Sequence, residues 1–86
     1  VSTNTTLYPN PATNEVWINL PDYEGLPCTI RIFDLNGAVV QAFHAASYQD
    51  QLRVDLSGMH SGMYFIHIQQ DGLKHEVLKL TVVNNY

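Results

Sequence analysis

Turn-forming residues punctuate this chain about every ten positions: Pro9-Asn10-Pro11, the stretch 21–27 with two prolines and Gly25, Asn36-Gly37, Gly58 with Gly62, and Asp71-Gly72. Between these marks lie short runs rich in Val, Ile, Thr, Phe and Tyr. Such spacing leaves no room for a helix of ordinary length and predicts a sandwich or barrel of short strands. The run 16–20 places Val16, Ile18 and Leu20 on one face, with Trp17 and Asn19 on the other. In 28–33, Cys28, Ile30 and Ile32 oppose Thr29 and Arg31, and Asn36-Gly37 supplies the left-handed backbone of a tight turn into an antiparallel partner at 38–43. Residues 51–56 alternate with Leu52, Val54 and Leu56 inward, and 57–62 fits one helical turn or a wide loop.

The strongest strand is 63–70, with Tyr64, Ile66 and Ile68 on one side, and it is expected centrally in a sheet. Asp71-Gly72 is a hairpin turn into the run 73–83, whose two faces both carry lysines, as in an edge strand guarded against aggregation. These six strands, with a seventh at 6–8, predict an all-β fold, an immunoglobulin-like or fibronectin-like antiparallel β-sandwich of about seven strands. Residues 1–6 read as a linker or weak edge strand entering from an upstream neighbour, 7–83 as the sandwich and 84–86 as a polar tail.

Composition narrows the function classes. With 86 residues, 45% of them hydrophobic, the chain supports one small domain. Four Lys and Arg against eight Asp and Glu leave a net charge of -4, which excludes a phosphate-neutralising face and makes nucleic acid an unfit partner. Apolar runs such as 63–66 are too short to span a bilayer, and no basic segment followed by an apolar one opens the chain, so neither a membrane span nor an export signal of its own is expected. The one cysteine, Cys28, rules out an intrachain disulfide and any all-cysteine metal site.

Candidate chemistry is sparse. His44, His60, His67 and His75 lack the spacing of metal ligands on one element, so no metal site is expected; His67 and His75 stand out only as neighbours across a hairpin. Asp34 with Asn36 and Asp55 with Ser57 suit turns whose carboxylates cap backbone N–H groups better than they suit calcium. There is no nucleophile motif, zinc-protease motif or phosphate-cradling loop, and Cys28 sits in an apolar run. A non-enzymatic domain with no catalytic residues and no cofactor is therefore expected. The glycosylation pattern Asn4-Thr5-Thr6 carries little weight in a Thr-rich stretch. Trp17, Tyr23 and Tyr48 suit a sugar platform only if the fold gathers them; Trp17 equally suits an outer sheet face. Tyr64, two residues after Gly62 at a strand start, matches the corner at which a tyrosine hydroxyl ties a sandwich loop to its sheet.

Four segments taken in order carry a family resemblance: Leu7-Tyr8-Pro9-Asn10-Pro11-Ala12; Ile32-Phe33-Asp34-Leu35-Asn36-Gly37; Val54-Asp55-Leu56-Ser57 leading to Gly62-Met63-Tyr64-Phe65-Ile66; and Lys74 with Lys79-Leu80. Together they resemble the C-terminal sorting domain of the type IX (Por) secretion system. The resemblance implies a sandwich at the end of a larger secreted protein that transits the periplasm and finishes outside the cell or on its surface. It further implies recognition by an outer-membrane translocon and cleavage by a sortase-like peptidase in or before residues 1–6. Carried onto this chain, the recognition residues are Gly62, Tyr64, Lys74, Lys79, Leu80 and Val82. The terminal strand also suits addition to a partner's sheet, or to a second copy of the chain. Two other classes stay open on the residues alone: a binding module for carbohydrate or protein beside an extracellular enzyme or adhesin, and a plain spacer.

Overall fold

Seven strands form where the alternating runs predict them in the computed structural model, which describes residues 5–20, 27–45, 51–70 and 74–84. They are β1 (Thr6–Tyr8), β2 (Glu15–Asn19), β3 (Cys28–Phe33), β4 (Val39–Ala45), β5 (Gln51–Asp55), β6 (Gly62–Gln70) and β7 (Lys74–Val82). A three-stranded sheet has the order β1-β2-β5, and a four-stranded sheet the order β4-β3-β6-β7, with every ladder antiparallel. This is the expected immunoglobulin-like sandwich. As expected, β6 is an interior strand and β7 an edge.

The core follows from period-two alternation. Val16, Ile18 and Val54 from one sheet meet Ile30, Ile32, Ile66, Ile68, Leu80 and Val82 from the other, all essentially inaccessible to solvent. Burying each such side chain stabilises the fold by roughly 1.5–3 kcal/mol. Cys28 joins this core, and loss of water around its thiol pushes the pKa up, so it packs as a small apolar group.

Turns form by the chemistry the sequence predicts. Asp34 Oδ1 accepts from the N–H groups of Asn36 (2.9 Å) and Ala38 (3.0 Å), while Gly37 takes the left-handed conformation at φ +86°. The β3–β4 register shifts beyond Ile32, which pairs with Gln41 while Phe33 pairs with Val39, so Val40 forms a bulge. Asp55 Oδ1 likewise accepts from Ser57 N–H (2.9 Å), the main reason its carboxyl is held below the usual range.

Both ends of the described chain are tied to the sandwich. Thr6 starts β1, the strand expected at 6–8, and buried Thr5 donates from Oγ1 to Glu76 Oε1 (2.7 Å). Asn84, read as tail, is tied down, its N–H donating to Ser61 Oγ (2.8 Å) and its amide to Met59 O. The turn at 71–72, Asn4, Tyr23 and Tyr48 lie outside the described residues.

Between β1 and β2 the chain crosses to the other sheet. Ala12 forms a parallel bridge with Val82, donating to Thr81 O and accepting from Val83 N–H, both at 2.8 Å. Asn10 extends this strap with its side chain, donating from Nδ2 to Lys79 O and accepting at Oδ1 from Thr81 N–H, both at 3.1 Å. An Asn10→Ala variant loses both amide bonds and is expected to be destabilised by about 1–2 kcal/mol in urea unfolding, with the Thr81 amide among those whose hydrogen exchange accelerates most. Unchanged stability and unchanged Thr81 protection would show that the strap holds without Asn10.

Candidate recognition surface

The six residues that the family resemblance singles out fall into two groups. Tyr64, Leu80 and Val82 point into the core and are at most 7% exposed, so in the folded domain they act through packing. Gly62 opens β6 opposite Val82 at φ +157°, a conformation in which a side chain is strained although open space surrounds the position. Lys79 is exposed and stands opposite Phe65, and Lys74 opens β7 opposite Gln70.

Tyr64 is the anchor that its position predicts. Alternation turns its ring inward at the start of β6, and its hydroxyl donates to His60 O (2.7 Å), tying the 57–62 loop to the sheet. The loop is held from the other side as well, because Ser61 and Asn84 bond each other through Ser61 Oγ.

Among the described residues the outer edge of β7 is closed over one half and open over the other. The strap takes Lys79 O, Thr81 N–H, Thr81 O and Val83 N–H, so odd-numbered residues direct their backbone groups away from β6. By the same alternation the N–H and C=O of His75 and Val77, with Lys79 N–H, face the edge, and they have no partner among the described residues. The strap was not foreseen. Asn10 between two prolines reads as a rigid turn, and a side-chain amide standing in for a strand residue has no periodic signature.

The outer face of the four-stranded sheet holds the histidine pair that the hairpin predicts. The rings of His67 and His75 meet edge to face with centroids 4.4 Å apart, and Phe33 stacks on His67 at 6.2 Å. His67 Nε2 is buried and has no hydrogen-bond partner among the described residues. Burial, then His75 and Arg31, hold the His67 imidazole below its ordinary value of 6.5. Among the described residues no group of three or more His, Cys, Asp or Glu comes together to hold a metal. On the other sheet half-buried Trp17 lies opposite Tyr8 and Arg53, its Nε1 donating to Glu15 Oε2 (3.3 Å), which is the outer-face placement weighed above.

Tyr64→Phe keeps the ring and removes the bond to His60 O. A loss of about 1–2 kcal/mol is expected in chemical unfolding, and none would mean that the loop is held without the hydroxyl. Because the folded state disfavours charging His67, the unfolded chain takes up a proton at higher pH. The stability due to neutral His67 is then full above 6.5 and lost as pH falls from there through the depressed folded value. Thermal midpoints should therefore fall between about pH 7 and pH 5, and His67→Gln should flatten that arm; equal slopes in variant and parent would contradict the assignment.

No curated protein matches the chain. A family described as the secretion system C-terminal sorting domain matches residues 6–83, a span that takes in all seven strands, the Asn10 strap and the Tyr64 anchor. That family is a sorting domain and not a catalyst, in keeping with the sequence reading. With nearly its whole length matched, the chain belongs to the C-terminal sorting domain family of the type IX (Por) secretion system.

Proposed function

We propose that this domain directs a larger cargo, joined upstream in the same chain, through the outer-membrane translocon of type IX secretion, and that the translocon reads the open half of the β7 edge. On this reading the cargo passes through the periplasm to the surface or the medium, and a sortase-like peptidase removes the domain by cutting in or before residues 1–6. The observation that carries the proposal is the backbone of His75, Val77 and Lys79 on β7, which has no partner among the described residues while the strap takes the other half of the edge. Main-chain pairing is tolerant of sequence, which suits a receptor that serves many cargoes. Exposed Lys79 stands at the boundary of the open and closed halves and refines the choice through its charge, as does Lys74 at the strand start. Gly62, Tyr64, Leu80 and Val82 contribute by setting the conformation and packing that present this edge. The same open stretch gives a second copy only a register too short to hold it without further contacts.

The test fuses residues 1–86 behind a fluorescent reporter with a signal peptide, in a bacterium with type IX secretion and in its translocon-null derivative. Export that requires the translocon, with a loss of mass near the fusion joint, is expected. Reporter held in the periplasm of both strains by a folded domain would overturn the sorting role. Val77→Pro removes one outward N–H while leaving the β6 ladder intact, and is expected to reduce export at little cost in stability, whereas Val77→Thr is not. Export of a folded Val77→Pro fusion at the parent's level would overturn edge recognition alone. Lys74→Ala with Lys79→Ala is expected to weaken export without altering the fold.

A further inference from the structure

We propose that the outer face of the four-stranded sheet carries a binding cleft for an oxyanion, the carboxylate or phosphate of a small polar ligand, received by the Arg31 guanidinium. The cleft encloses about 310 Å³ and is lined by Pro27, Cys28, Thr29, Arg31, His44 and Gln69, a size at the lower end of small-molecule sites. It rests on these groups alone and stands or fails independently of the sorting role.

Charge placement is the first argument. The chain has only Arg31, Arg53, Lys74 and Lys79 as full cations, against eight carboxylates. Arg53 is paired with Glu15, whereas half-buried Arg31 has neither an ion pair nor a hydrogen bond among the described residues. A guanidinium carries five donors, and leaving them without protein partners in a concave, partly dehydrated place is a cost that an incoming anion removes. The surroundings are biased the same way. Outward positions of this sheet hold Arg31, Lys79, His44, His67 and His75 and, among the described residues, no Asp or Glu. Among the described residues this face therefore sets a full cation and no carboxylate against an incoming anion.

Register supplies the second argument. Arg31 lies between Ala42 on β4 and His67 on β6, and the small Ala42 leaves the space above one flank of the guanidinium open. The neighbouring row runs His44, Thr29, Gln69, His75 across the four strands, setting a ring, a hydroxyl and an amide beside the charge. Thr29 Oγ1 and His44 Nδ1 lie 3.2 Å apart and fix each other's positions at the rim. A planar fork flanked by neutral donors matches the two oxygens of a carboxylate or phosphate, and a lysine at the same place would not.

The experiment titrates the isotopically labelled 86-residue chain with inorganic phosphate, acetate, glucuronate, glucose 6-phosphate and, as the neutral control, glucose, following backbone and side-chain resonances by NMR. Saturable shifts centred on Thr29, Arg31, His44 and Gln69 are expected with the anions and not with glucose. The ranking of glucuronate against glucose 6-phosphate identifies whether carboxylate or phosphate is preferred. Arg31→Gln should weaken binding by about tenfold or more, and Arg53→Gln, on the other sheet, should leave it unchanged. Should Arg31→Gln fail to fold, Arg31→Lys keeps the charge without the fork and is expected to bind more weakly than the parent. The proposal is overturned by an absence of saturable shifts with any anion, by equal response to glucose, or by undiminished binding in a folded Arg31 variant.

Discussion

The contact between the strap at residues 10–12 and the terminal strand is the constraint on which the sandwich depends. It joins residues some seventy positions apart, and it stands where the chain leaves one sheet, adds itself to the edge of the other and returns. Pairing so distant costs closure entropy before it yields any stabilisation, so each end of the domain is held only when the other is in place. Thr5 adds its bond to Glu76 on the same side, and on the opposite side Gln41 reaches from β4 to Asp55 O (2.8 Å) and Met59 Sδ (3.1 Å) on the facing layer. The two sheets are thus clasped along both margins by polar contacts as well as by the apolar core between them. At this domain size, where a large fraction of the chain's surface stays wet, such margins matter more than in a larger sandwich.

That clasp changes what a family motif means in physical terms. Of the residues carried over from the resemblance, Tyr64, Leu80 and Val82 are buried, and Gly62 serves the backbone. They specify the alignment of β6 with β7: Tyr64 faces Leu80, Gly62 faces Val82, and the tyrosine hydroxyl fixes the loop that leads into the pair. On the proposed reading, a motif taken for a recognition signal is in large part a prescription for holding β7 in one register against β6. On that reading the part of the strand that a partner touches lies in the other half, at His75, Val77 and Lys79, whose side chains are exposed.

Most of this architecture was legible in the sequence because it rests on period-two burial and on turn chemistry, both local. The faces of β2, β3, β5 and β6, the Asp34–Gly37 turn, the edge placement of β7 and the Tyr64 anchor all follow from residues within a few positions of each other. What escaped was long-range. The strap depends on the side-chain amide of Asn10 finding the backbone of Lys79 and Thr81. The ties at the two ends of the described chain depend on Thr5 meeting Glu76 and Asn84 meeting Met59 and Ser61. In each case a polar residue of turn-like or linker-like character gains a partner far along the chain, and nothing in its neighbours announces this. The Arg31 cleft escaped for the same reason, since it is assembled from β3, β4 and β6 by sheet order, which alternation leaves undetermined.

An open strand edge is ordinarily a hazard, and the arrangement here limits it geometrically. β1 is only three residues long and β4 is interrupted by the bulge at Val40, whereas β7 pairs with β6 through nine residues without a shift and is the longest regular edge in the molecule. Left bare along its length, it would template lateral growth of one copy on the next. The strap stops any added strand at Asn10, so pairing is confined to the stretch beside His75 and Val77, and Lys79 places a charge at that stop. A contact of so few residues is too short to hold two copies together by itself, because an isolated pair of short strands is marginal in water. It gains strength only from a partner that supplies further surface around the edge. A half-closed edge of this kind is selective by its length, resisting its own copies while remaining available to a receptor built to surround it.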